Sequence, residues 1–155
     1  SDNHHADQAD SHANGAIGSP TTVVYATELS QTAILEAIRR GHVFVDVAGS
    51  PDRLLDFTAR AGGQQAMMGD TLEAPAGTAV QFDVRVRHAV GAQFVVLLDG
   101  DQVSLLPDRR VGSDDEHRPF SWTSDGKPHW IRIDVRGAEG KLILLGNPIY
   151  LGRKD

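Results

Sequence analysis

The sequence predicts a mainly β protein, an antiparallel β-sandwich entered through one strand–helix–strand unit. Three observations carry that expectation. About seven or eight short apolar or alternating runs are separated by Gly, Pro, Asn and Asp turn signals, as in a sandwich. Val80, Phe82, Val84 and Val86 alternate with Gln81, Asp83, Arg85 and Arg87, the mark of a strand with one buried face. Helical periodicity is clear in one stretch, between Ser30 and Gly41.

That stretch sits inside the unit from Thr21 to Val47. Thr22-Val23-Val24-Tyr25 is a β-branched and aromatic run after the breaker Gly18-Ser19-Pro20. Ser30 is a good N-cap, and Leu29 and Ile34 occupy the two positions of a hydrophobic staple. Ala33, Ile34, Ala37 and Ile38 form an apolar stripe that Leu35 widens, and Glu36 and Arg40 are an i,i+4 pair in the favourable order. Arg39 and Arg40 suit the C-terminal end of the helix dipole, Gly41 stops the helix, and Val43-Phe44-Val45 follows as a second strand.

Beyond Gly49-Ser50-Pro51, Leu55, Phe57 and Ala59 share one side of a strand that Gly62-Gly63 ends. Met67 to Thr71 and Ala74 to Gly77 are turns, and the alternating strand Val80 to Val86 comes next. Phe94 to Leu98 is continuously apolar, as for a strand covered on both faces, and Asp99-Gly100 signals a hairpin into Gln102 to Leu106. Pro107 to Arg118 reads as a charged loop, with strand character resuming at Phe120 to Thr123 and turning at Asp125-Gly126. Ile131, Ile133 and Val135 alternate with Arg132, Asp134 and Arg136, predicting a second half-buried strand, and Lys141 to Leu145 and Ile149 to Leu151 close the series. The expected architecture is an immunoglobulin-like sandwich over residues 48–155, preceded by a separate unit over residues 1–47.

The chain has 155 residues, enough for one core or for a small domain plus the end of another. Hydrophobic content of 40% and charged content of 23% are those of an ordinary globular protein. A net charge of −6 argues against nucleic acid, which calls for a basic field. No apolar run approaches the roughly 20 residues of a membrane span. Without cysteine there is no disulfide and no thiolate metal site, and the compartment stays open. The first residue is Ser1 rather than Met, so the chain is expected to be the C-terminal part of a longer protein.

Residues 1–14 hold His4, His5 and His12 with Asp2, Asp7 and Asp10 and almost nothing apolar, which on composition is a solvated terminus. Within it, Asp2 and His4 are two residues apart, so in extended chain both side chains point one way and can converge on one cation. An oxygen–nitrogen pair suits zinc, manganese or iron, but a catalytic metal needs about three protein ligands, so others must come from elsewhere. His88 continues the apolar face of Val80 to Val86 and reads as a strand-end histidine rather than a ligand. Asp114-Asp115-Glu116 lacks the spacing of a calcium loop and reads as solvated. Phe120, Trp122 and Trp130 are assigned to packing ahead of a sugar-stacking platform.

Ser1-Asp2-Asn3-His4 resembles the tail of the Gly-Ser-Asp-x-His metal motif of the PHP (polymerase and histidinol phosphatase) superfamily. The run from Gly18 through Ala26 resembles the closing strand of that barrel, and Glu28 through Val45 the helix and strand after it. Asn147-Pro148-Ile149-Tyr150 is similar to the C-terminal pattern of the CehA/McbA-like (carbaryl-hydrolase-type) metallohydrolases. The resemblance implies that residues 1–47 are the end of a PHP α/β barrel and that the sandwich is its accessory domain. It implies hydrolysis of a phosphoester, ester or carbamate in which divalent metal ions activate water and hold the developing negative charge. Asp2 and His4 would be metal ligands, and the missing N-terminal barrel of the same protein would be the principal partner. The small-molecule ester would bind mainly in that barrel, and homo-oligomerisation is open. The family's His-x-His motif and its middle His and Glu ligands have no counterpart among His42, His88, His117 and His129, so this chain alone is expected to be inactive. The competing expectation is a self-contained sandwich that binds a glycan or a protein. The first reading requires apolar surface left uncovered around Thr21 to Val47; the second requires a closed core with its own surface site.

Overall fold

A computed structural model describes residues 18–152. In chain order the elements are β1 (Thr21–Val24), α1 (Gln31–Arg40), β2 (Val43–Asp46), β3 (Leu54–Ala61), β4 (Gln64–Met67), β5 (Thr71–Leu72) and β6 (Ala79–Arg87). They continue with β7 (Gln93–Leu98), β8 (Asp101–Val103), β9 (Asp115–Thr123), β10 (His129–Arg136), a 3₁₀ turn (Ala138–Gly140), β11 (Leu142–Gly146) and β12 (Ile149–Leu151). The protein is mainly β, as the alternation predicts.

The strands form two sheets. The four-stranded sheet runs β4-β3-β6-β9 and is antiparallel throughout. The eight-stranded sheet follows the path β1-β2-β11-β10-β12-β5, with β7 and β8 added on the far edge of β10. Only the short β12–β5 pair in it is parallel. β11 and β12 share the other edge of β10, which makes β10 the central strand. One apolar cluster takes residues from both sheets, with Phe57, Val84 and Phe82 facing Phe44, Ile133 and Leu144. The rings of Phe57, Phe82 and Phe120 stack within it, 5.0 to 6.2 Å apart. The boundary expected after residue 47 falls between β2 and β3, which lie in different sheets, while β2 hydrogen-bonds to β11.

Four local expectations need correction. Leu29 is 97% exposed, so the staple to Ile34 is not made. β9 begins at Asp115, inside the stretch read as loop, because its inward positions start with Glu116 and Arg118 rather than apolar residues. β10 has the expected alternation except at Asp134, an outward position that is 1% exposed with Arg132 and Arg136 beside it. His88 does not continue the apolar face: its backbone turns left-handed (φ 55) and its exposed ring meets Asp114.

Candidate functional site

The strand–helix–strand unit is built as its residues dictate. Ser30 is extended, and its hydroxyl accepts a hydrogen bond from the Ala33 N–H at 3.2 Å. At the other end Gly41 is left-handed (φ 74), its N–H donates to Ile38 O, and the His42 N–H donates to Ala37 O.

The helix C-terminus is then fastened to two distant turns. Asn147 Nδ2 donates to Gly41 O at 2.7 Å, Gly69 N donates to Pro148 O at 2.8 Å, and Tyr150 N donates to Asp70 O at 2.9 Å. His42 Nε2 meets Asp70 Oδ1 at 2.8 Å, while Asp70 Oδ2 accepts from the Met67 N–H. Gly69 (φ 92) lies so close to the helix end that a Cβ there would sit 2.1 Å from Arg40 O. The Asn147-Pro148-Ile149-Tyr150 sequence therefore has a local physical task, with Ile149 in the core and its polar groups closing the junction.

The helix uses only part of its apolar stripe. Ala37 is buried, but Leu35 and Ile38 are 41% and 48% exposed, and with Leu29 they are three of the five exposed large hydrophobic residues described. A hollow of about 340 Å³ opens on the helix's other flank, lined by Tyr25, Glu28, Thr32, Glu36, Arg40 and His42 among others. The eight-stranded sheet adds apolar side chains on its outer face, where Val45, Leu145 and Leu97 are half-buried around Asp134. Burial pushes the Asp134 carboxyl up, and Arg132 and Arg136 draw it back from 3.0 and 3.6 Å.

The outer face of the four-stranded sheet is polar. Arg85 makes a two-pronged pair with Asp115 at 2.6 and 2.5 Å, and His117 Nε2 meets Asp83 Oδ1 at 2.5 Å. These groups rim a shallow concavity of about 590 Å³ with Asp56 on its floor, whose carboxyl is raised by burial and then by the nearby Asp83.

His129 is held at both ring nitrogens. Nδ1 lies 2.5 Å from Asp99 Oδ2 and Nε2 lies 3.0 Å from Asp125 Oδ1, with Trp122 packed against the ring edge-on. The hydrogen bond to Asp99 raises the His129 pKa, and Asp125 adds to it against the opposing effect of burial. Sequence reading passed over this residue as one scattered histidine. The available signal was its place after Asp125-Gly126, since both carboxylates belong to the two Asp-Gly turns.

The residues singled out from sequence are dispersed. Asp2 and His4 lie outside the described residues. Of the acidic run, Asp114 pairs with His88 at 2.9 Å and Asp115 is taken by Arg85. Glu116 is buried and accepts from the Gly112 and Ser113 N–H groups and the Ser113 hydroxyl, with the Gly112 bond chiefly responsible for lowering its pKa. Phe120 is in the core, Trp122 packs against it, and Trp130 lies under the Arg132 guanidinium at 5.8 Å. Among the described residues no group of three His, Asp or Glu side chains could hold a metal ion. No described helix is long and apolar enough to cross a membrane. No protein-family model, curated protein or solved structure matches the chain.

Proposed function

We propose that this chain is the C-terminal part of a PHP-type metal-dependent hydrolase, its immunoglobulin-like sandwich serving as an accessory domain that holds the end of the barrel. The observation that carries the reading is the uncovered apolar sector of α1, with Leu35 and Ile38 standing out from a helix whose own C-terminus is locked to the sandwich. A module that binds a glycan would gain nothing from such a surface, whereas a covering protein element would bury it. The aromatic residues that a glycan platform would use are instead engaged within the chain. In this reading Asp2 and His4 join ligands from the preceding barrel around zinc, manganese or iron. The described residues supply no catalytic group, and their task is to position.

The reading is tested on the natural gene product. It is expected to exceed 16.7 kDa and to hydrolyse ester, carbamate or phosphoester substrates only with a divalent metal, while the 155-residue chain does not. Replacing Leu35 and Ile38 together by Glu is expected to leave the isolated chain folded and to loosen the longer protein. A natural product no longer than this chain, or metal-dependent turnover by the chain alone, would end the reading.

A further inference from the structure

We propose that His129 is a proton-operated latch, tying the β7–β8 turn to the β9–β10 loop as an imidazolium and letting go of the loop when it loses one ring proton. The argument starts from the atoms. Both ring nitrogens face carboxylate oxygens, Asp99 Oδ2 at 2.5 Å and Asp125 Oδ1 at 3.0 Å, and ionised carboxylates only accept hydrogen bonds. Both nitrogens must therefore donate, which only the cationic ring can do.

Of the groups around the ring, the two carboxylates favour that form, against the opposing effect of burial. Asp99 comes from the β7–β8 turn and Asp125 from the β9–β10 loop, with Lys127 at 4.0 Å behind Asp125. Leu151, opposite on β12, and Trp122, from β9, carry no charge. The raised His129 pKa agrees with this geometry.

The two arms are unequal. Asp99 is held twice more, its Oδ1 accepting from the Trp130 N–H and its own N–H donating to Trp130 O. Asp99 is thereby the more firmly placed acceptor, so the proton that leaves first is the one on Nε2. A lone pair then faces Asp125 Oδ1 across 3.0 Å, and the contact turns repulsive. The same oxygen accepts from the Lys127 N–H at 2.9 Å, so displacement of Asp125 removes that amide's partner too. Asp125 and Gly126 form one wall of a cavity of about 630 Å³ whose other sides are the 73–76 segment and Gly152. Ser124 stays fixed through its hydroxyl to Ala74 O and its backbone bonds to Gly77 and Thr78. Movement is thereby confined to the tip of the loop, at the cavity mouth.

The experiment is a pH titration of the full chain by ¹⁵N NMR of the histidine rings, with amide hydrogen exchange followed in parallel. His129 is expected to be protonated on both nitrogens at neutral pH and to titrate above an ordinary histidine. Exchange of the Lys127 amide, corrected for base catalysis, is expected to rise several-fold across that titration. Asp125→Asn should lower the titration point and remove the pH dependence of the Lys127 amide while leaving the fold, read by circular dichroism, intact. A His129 ring neutral at pH 7, or a Lys127 amide whose corrected exchange is flat through the titration, would overturn the latch.

Discussion

At Gly69 the fit between helix and sandwich depends on one missing methyl group. Its left-handed backbone is one that other residues adopt reluctantly, and the space a Cβ would need is filled by Arg40 O and the Gly41 carbonyl. Gly69→Ala is therefore expected to cost about 2 kcal/mol or more, because strain and a displaced helix end add together. Chemical denaturation of the variant measures it, and a change below about 0.5 kcal/mol would mean the junction is loose. The same residue shows how little of the junction was legible. Met67 to Thr71 was readable as a turn and Asn147-Pro148 as another, but that both meet Gly41 depends on side-chain reach across 106 positions, and no local pattern encodes that.

For α1 almost everything was legible, because helix ends are specified by the residues within a few positions of them. Ser30, Gly41 and the two arginines act where the pattern places them. Ser30→Ala should therefore destabilise the chain by about 1 kcal/mol, with an intact baseline spectrum. A loss below a few tenths would show that the junction at Gly41, not the cap, holds the helix. The staple is the exception among these local signals: Leu29 stands free at 97% exposure and does not fold back on Ile34. The first half of β9, before Phe120, was not legible. A buried glutamate satisfied by Gly112 and Ser113 looks, in sequence, the same as a solvated one.

Over the whole molecule, ionisable groups of three kinds set a dependence of stability on pH. Asp99, Asp115, Glu116 and Asp125 have lowered folded-state pKa values. Arg85 chiefly lowers Asp115, the Gly112 N–H Glu116 and the Lys127 N–H Asp125, while at Asp99 bonds from His129 and Trp130 outweigh burial. Their contribution is present above the ordinary carboxylate range, about pH 4, and is lost as the pH falls through the folded-state values. His129 is raised, so its contribution is complete below about pH 6.5 and is lost as the pH climbs through its higher folded-state value. Asp56 and Asp134, raised by burial, add a penalty that grows as the pH rises above about 4. The melting temperature is expected to be highest in weakly acid solution and to fall on both sides. A midpoint still rising from pH 6 to pH 9 would contradict this.

The bond from Asn147 to Gly41 also has a consequence in time. During synthesis α1 is made first, and the carboxamide that fastens its end and the β11 strand that β2 pairs with follow about a hundred residues later. Until then the helix has its caps but no lock, and the strand beside it has an open edge. If a barrel precedes this chain, its last helix waits for residues far downstream to secure it. A ribosome halted before Asn147 would hold a nascent protein whose helix and β2 are already made and whose seam is still undone.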